Sequence, residues 1–259
     1  MPTVYIIIYS LYHHIYTVAQ SVQQGLEAEG INVKLFQVPE TLPQDVLEKL
    51  HAPARPDLPI ITVDELKEAD GFLFGVPTRF GTFPAQIKSF LDSTGSLWAN
   101  GTLAGKFAGT FFSTASQHGG QETTAYTLLT YFAHHGLNYV PLGFANTNLF
   151  DNSEVVGGSP YGAGTVANGD GSRQPTEKEL SIAKTQGENF ARLLNTYHRG
   201  IEGPTTTTTP VGEEATEQKK EEEPVTREVT TPVEETQKPT EKPSKPASKK
   251  EEKSKCFCM

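Results

Sequence analysis

From Val4 to Tyr9 the chain reads Val-Tyr-Ile-Ile-Ile-Tyr, six apolar residues of which four are β-branched. A strand with one wet face would alternate, so an unbroken run predicts a strand covered on both faces, as in a parallel sheet sandwiched between helices. The run stops at Ser10. From His14 to Glu29 the apolar positions Ile15, Val18, Ala19, Val22 and Leu26 recur at helical spacing, and Gly30 follows as a stop. Strand, tight loop and helix in that order constrain the fold more than any other feature of the chain.

The alternation continues. Val33 to Val38 predicts a second strand, followed by a Pro-rich connection, and Gly71 to Val76 a third strand closed by Pro77. Ala85 to Leu91 reads as a helix, Phe107 to Phe112 as a fourth strand, Thr123 to His134 as a helix and Asn138 to Val140 as a short fifth strand. Thr176 to Tyr197 reads as a long final helix whose Thr-Glu-Lys-Glu start suits a capping box. Five strands alternating with helices predict an α/β fold with a doubly wound parallel sheet. Between Phe150 and Pro175 lies a Gly-rich stretch with little periodicity, too long for an ordinary connection and of the kind that is either functional or disordered.

Composition then separates the chain into parts. From Gly203 onward there is no Leu, Ile, Tyr or Trp, and Phe257 is the only aromatic residue. Such a segment cannot bury a core. Residues 1–200 are therefore expected to form one domain, 201–255 a disordered Thr/Pro/Glu/Lys-rich linker, and 256–259 a separate terminal motif.

Several function classes recede on the same grounds. The net charge is −9, and up to Gly200 there are 18 acidic against 12 basic residues, so no nucleic-acid partner is expected. The only two cysteines, Cys256 and Cys258, lie in the terminal motif, which excludes a disulfide framework for the domain. The adjacent His13-His14 and His134-His135 pairs lack the spacing of metal ligands on one helix face, and no metal is expected. No G-x-S-x-G elbow supports a serine hydrolase. The N-terminal run has no basic region or cleavage site, and no stretch of eighteen apolar residues occurs, so the domain is expected to face the cytoplasm.

In open parallel sheets ligands bind beyond the carboxyl ends of the strands. Three segments following strands are unusual there. Ser10-Leu11-Tyr12-His13-His14-Ile15 joins a strand to a helix N-terminus, where free N–H groups and the helix dipole favour a phosphate. Without a G-x-G-x-x-G pattern a mononucleotide phosphate suits it better than a dinucleotide, and Ser10 also reads as a plain helix cap. Thr78, Arg79 and Phe80 set a hydroxyl, a fixed cation and an aromatic ring at one strand end. A guanidinium beside a flavin would stabilise charge on the reduced ring, while the alternative is a surface Arg paired with Asp92. Ser113, Thr114, Ala115, Ser116, Gln117, His118 and Gly119 follow the fourth strand, where small residues let backbone approach a flat ring or simply make a turn. His134 and His135 suit a helix C-terminus, and Trp98, the only tryptophan, suits a core or interface as well as a substrate platform.

Together these pieces resemble the WrbA-type NAD(P)H:quinone oxidoreductases and their fungal paralogues, over residues 1 to about 198. The resemblance is carried by Tyr9-Ser10-Leu11-Tyr12, the Val-Pro-Glu-Thr-Leu-Pro run from Val38, Phe74-Gly75-Val76-Pro77-Thr78-Arg79-Phe80-Gly81, Gly95-Ser96-Leu97-Trp98-Ala99, Ala133-His134-His135-Gly136, and Gly157 to Gly164 running on to Asp170-Gly171-Ser172-Arg173. It implies a flavodoxin-like sheet of five parallel strands in the order 2-1-3-4-5, with FMN as cofactor and NAD(P)H as co-substrate. Ser10 through Ile15 would cradle the FMN phosphate, Thr78, Arg79 and Phe80 would border the isoalloxazine, and Ser113 to Gly119 would pass beside it. His134, as cofactor contact and catalytic hydrogen-bond donor, and Trp98 would line the quinone cavity, and Tyr12 would meet the nicotinamide nucleotide. Hydride would pass through flavin N5 to the quinone in a ping-pong cycle, within a homotetramer or homodimer. Two positions depart from the pattern. His13 stands where Gly is usual, in a loop built around positive φ, and Ala115-Ser116-Gln117-His118 replaces Gly-Thr-Gly-Gly. A rival expectation follows, a membrane scaffold or interaction protein with weakened catalysis; a one-electron carrier fits less well.

The tail adds a destination. Residues Glu202 to Glu235 hold 10 acidic and 3 basic residues, whereas Lys238 to Lys255 hold 7 basic and 3 acidic. Cys256-Phe257-Cys258-Met259 fits the C-a-a-X pattern with Cys256 as the prenylated residue, Met favouring farnesyl, and the lysines supply the electrostatic signal that a single lipid needs. The expected location is the cytoplasmic face of a membrane, the plasma membrane first, with the cytoplasm as the alternative.

Overall fold

The structure, a computed structural model, describes residues 1–202. Residues 201 and 202 are helical, and the expected linker beyond them and the lipidation motif with Cys256 lie outside the described residues. Strand β1 (Thr3–Ile8) is central, paired in parallel with β2 (Asn32–Gln37) on one side and β3 (Gly71–Pro77) on the other. β3 pairs in parallel with β4 (Phe107–Thr114). The unbroken apolar run of β1 is explained by its two faces: Val4, Ile6 and Ile8 enter one core, Tyr5, Ile7 and Tyr9 the other. Full burial of each such side chain contributes about 1.5–3 kcal/mol.

Helices α1 (His14–Ala28) and α6 (Glu177–Glu202) cover the Val4 face. They cross so closely that a Cβ at Gly187 would lie 2.2 Å from the Val22 carbonyl oxygen, and one at Gly25 2.1 Å from that of Lys184. Helices α3 (Ala85–Asp92) and α5 (Gln121–His135) cover the other face through residues such as Ile87, Phe90, Leu128 and Phe132. The Pro-rich connection contains a short helix α2 (Gln44–Lys49), and α4 (Gly95–Ala99) follows α3. The capping box forms: the Thr176 N–H donates to Glu179 Oε2 at 2.9 Å, and the Glu179 N–H lies 3.4 Å from Thr176 Oγ1.

The strand order 2-1-3-4-5 is present, with one difference. The fifth position is built from two pieces. β5 (Asn138–Tyr139) pairs in parallel with the start of β4, at Phe107 and Ala108, and β7 (Gly162–Val166) pairs in parallel with its end, from Phe112 to Thr114. A two-residue strand β6 (Gly158–Ser159) runs antiparallel to β7. The Gly-rich stretch is thus partly sheet. Between the two pieces Gln186 bridges the gap, its Nε2 donating to the Thr110 carbonyl at 2.9 Å and its Oε1 accepting from the Ala163 N–H at 2.8 Å.

Candidate functional site

Beyond the carboxyl ends of β1, β3, β4 and β7 opens a cavity of about 680 Å³, within the usual range for cofactor sites. It is lined by Ser10, Leu11, Tyr12, His14 and Ile15 after β1, by Pro77, Thr78 and Arg79 at the end of β3, and by Ser113, Thr114 and Ala115 at the end of β4. Two further walls had not been assigned to the site from the sequence: Ala167 to Gly171 after β7, within the long Gly-rich stretch, and Leu50, His51 and Pro53 after α2.

The first segment is an anion cradle in form. The N-cap position of α1 is His13 rather than Ser10, but Ser10 Oγ accepts the N–H of Tyr16 in the first turn at 3.1 Å. The backbone N–H groups of Leu11, Tyr12, His13, His14 and Ile15 have no partner among the described residues. Five such donors around a helix N-terminus satisfy what a phosphate needs. His13 adopts φ 68°, a left-handed conformation that favours glycine, and keeps its side chain out of the cavity: its Nε2 lies 2.9 Å from the Ala54 carbonyl oxygen. The Tyr12 hydroxyl donates to the Leu50 carbonyl at 2.9 Å. These two side chains strap the segment after α2 over the cradle.

Arg79 forms no ion pair among the described residues. Its Nη1 donates to the carbonyl of Thr78 at 2.9 Å, and Asp92, the alternative partner, is paired with Lys88. A guanidinium without a counter-ion at a cavity wall suits an anionic ligand. Thr78 Oγ1 meets Thr124 Oγ1 at 2.9 Å, tying this strand end to α5. Phe80 and Gly81 form a two-residue hairpin turn with φ 52° and 79°, closed by reciprocal bonds between Arg79 and Thr82. This turn holds the Phe80 ring fully in solvent next to the cavity wall rather than in it. Of the third segment, Ser113 to Ala115 line the cavity, whereas Ser116, Gln117, His118 and Gly119 form the turn behind it, closed by the Thr114 Oγ1 bond to the Ser116 carbonyl at 2.7 Å.

Four non-glycine residues among those described have positive φ: His13, His51, Phe80 and Asn168. Each lines this cavity or adjoins a residue that does. Backbone strain of this kind, costing of order 1–3 kcal/mol per residue, gathers at functional sites.

The chain does not bring His134 or Trp98 to its own cavity, contrary to the expectation for both. α5 starts near the carboxyl end of β4 and runs back for fifteen residues, so His134 stands roughly 20 Å away, at the amino ends of the strands. Trp98, on α4, lies at the same end: Thr94, just before α4, bonds through Oγ1 to His135 Nε2 at 3.0 Å. Both His134 and Trp98 are exposed, Trp98 by 58%. His135 beside them is buried, with Nδ1 unpartnered, and burial holds its pKa below the ordinary value.

Residues 10–150 match the family model described as NADPH-dependent FMN reductase. The chain is 57% identical to NAD(P)H quinone oxidoreductase YCP4 of Candida albicans, over 79% of this chain and 72% of that one. The chain belongs to this family. It is also 55% identical to quinone-oxidoreductase QR2 of Triphysaria versicolor, over 73% of this chain and 94% of that protein. The fold matches a WrbA-like flavodoxin from Agrobacterium tumefaciens with TM-score 0.53 at 20% identity, covering 76% of this chain and 99% of that one. The resemblance drawn from the motifs is borne out for the domain, and the family's description names both FMN and NADPH. The cavity fits that group: free N–H donors at one wall for the phosphate, and an uncompensated guanidinium at another for the ring.

Proposed function

We propose that this chain is an FMN-dependent NAD(P)H:quinone oxidoreductase that limits radical cycling by reducing quinones two electrons at a time. The observation that carries the reading is the pairing of the Leu11–Ile15 donor cradle with the unpaired Arg79 across one cavity. Bound FMN would supply a two-electron relay, taking hydride from NAD(P)H and passing it to the quinone. The N–H groups of Leu11 to Ile15, with the Ser10 hydroxyl, hold the phosphate. Arg79 would set its fixed positive charge beside the ring, and Thr78 and Ala115 would border it. Tyr12, 41% exposed at the mouth, meets the nucleotide.

Since Trp98 and His134 face away from their own cavity, their expected role needs a second copy, in a homodimer or homotetramer that sets them over a neighbour's flavin. The exposure of Trp98 supports this arrangement. The Lys238 to Lys255 run and Cys256 support a lipid tether that holds the enzyme at the cytoplasmic face of a membrane. If Cys256→Ser leaves the location of the full chain unchanged, the tether is refuted.

The activity is tested by anaerobic half-reactions on the purified, FMN-loaded full chain. NADPH or NADH should bleach the flavin absorbance, and one equivalent of benzoquinone should restore it. Bleaching that quinone cannot reverse would refute the proposal.

A further inference from the structure

We propose that Arg173 and Glu179 are positioning residues for the flavin site, a buried ion pair that fixes the cavity wall at 167–171 against the phosphate cradle. The inference rests on the flavin reading above and extends it to a pair that is not among the expected site residues.

Glu179 needs far less than its surroundings provide if it only caps α6. Its carboxylate is fully buried and accepts from the N–H groups of Gly157, Val166 and Thr176, at 2.8, 3.2 and 2.9 Å, and from Thr165 Oγ1 at 2.9 Å. Arg173 Nη1 completes the set at 2.9 Å. A buried carboxylate is stable only with such a full complement.

Arg173 in turn donates from Nη1 to the Val166 carbonyl at 2.5 Å and from Nη2 to the Val155 carbonyl at 2.7 Å. Its main chain closes the wall: the Arg173 N–H donates to the Ala167 carbonyl at 3.1 Å, and the Ala167 N–H donates to Thr114, at the end of β4, at 2.8 Å. The last link reaches the cradle itself, because buried His14 donates from Nε2 to the Arg173 carbonyl oxygen at 3.0 Å. One chain of bonds therefore runs from α6 through Glu179 and Arg173 to the first residue of α1. The segment it spans has little apolar anchorage of its own, reading Ala-Asn-Gly-Asp-Gly, so its place in the cavity depends on these polar ties.

The test uses the full chain with Arg173→Lys, which keeps the charge against Glu179 but lacks the planar fork whose two nitrogens reach the Val166 and Val155 carbonyls separately. Glu179→Gln is the second variant, and Gly187→Ala is a control destabilised at the α1–α6 crossing, away from the cavity. FMN affinity is measured by flavin fluorescence quenching, and amide exchange is followed at 167–171. In Arg173→Lys the FMN dissociation constant should rise about tenfold or more with faster exchange at 167–171, and the visible circular dichroism of bound flavin should change. Gly187→Ala should retain wild-type FMN affinity. FMN affinity of Arg173→Lys within about twofold of wild type overturns the proposal, whatever the exchange shows. Equal loss of affinity in Gly187→Ala also overturns it, by making the effect one of general stability. If wild type itself binds no FMN, the flavin reading fails first, and this proposal falls with it.

Discussion

Replacing Phe80 by Asn should make the protein more stable and a poorer enzyme. Phe80 sits at φ 52° in the hairpin turn between Arg79 and Thr82, and its side chain is fully exposed. A left-handed conformation costs an ordinary L-residue about 1–2 kcal/mol, and Asn, which tolerates it, pays much less. Asn-Gly is also the preferred pair for a turn with two positive φ values. No burial is lost, so the gain should be about 1 kcal/mol, or roughly 2–4 °C in Tm for a folded part of this size. Thermal denaturation of the flavin-free chain reads it. With FMN bound, the KM for quinone should rise several-fold, because the exposed Phe80 ring stands beside the cavity, where an incoming quinone would meet it. A lowered Tm in the flavin-free variant would refute the reasoning, since it would mean that the ring already packs against something.

Other expectations follow from the same geometry. Ser10→Ala removes the acceptor for the Tyr16 N–H and should cost about 0.5–2 kcal/mol in chemical denaturation, with weaker FMN binding in a fluorescence titration. Arg79→Ala breaks no ion pair among the described residues, so stability should stay within about 0.5 kcal/mol while quinone-dependent turnover falls. Gly187→Ala sets a methyl against the Val22 carbonyl and should destabilise by about 1–3 kcal/mol in urea melts. His135, buried and held below its ordinary pKa, binds its proton less readily folded than unfolded. Its contribution to stability is therefore complete above the unfolded pKa of about 6.5 and is lost as pH falls from there toward the folded value. Stability measured across that range should show a slope that is smaller in His135→Asn.

The central strands and the three expected loop segments could be read from the sequence because their signals are local. Val4 to Tyr9 declares burial on both faces, and Thr78-Arg79 or Ser113 to Ala115 follow directly from a recognisable strand end. β7 was hidden by its own packing. A Cβ at Gly162 would lie 1.9 Å from the Thr110 carbonyl oxygen, so the strand opens Gly-Ala-Gly and only Thr165 and Val166 at its end carry a strand signal. The wall at 167–171 was lost with it, although the Arg173 that braces it stood in a motif already noticed. His51 and Pro53 reach the cavity through tertiary straps from Tyr12 and His13 that no local pattern encodes. Trp98 and His134 show the opposite failure: a motif gives their residue types but not the end of the sheet at which the fold sets them.

Everything proposed for the site depends on whether this cavity holds FMN and uses it to reduce quinones. The most direct test adds FMN to the purified full chain, removes the excess, and follows NAD(P)H oxidation with and without benzoquinone while recording the flavin spectrum. FMN should be retained and NAD(P)H oxidation should depend on quinone; a folded chain that retains no flavin, or whose NAD(P)H oxidation ignores quinone, rules the proposed function out.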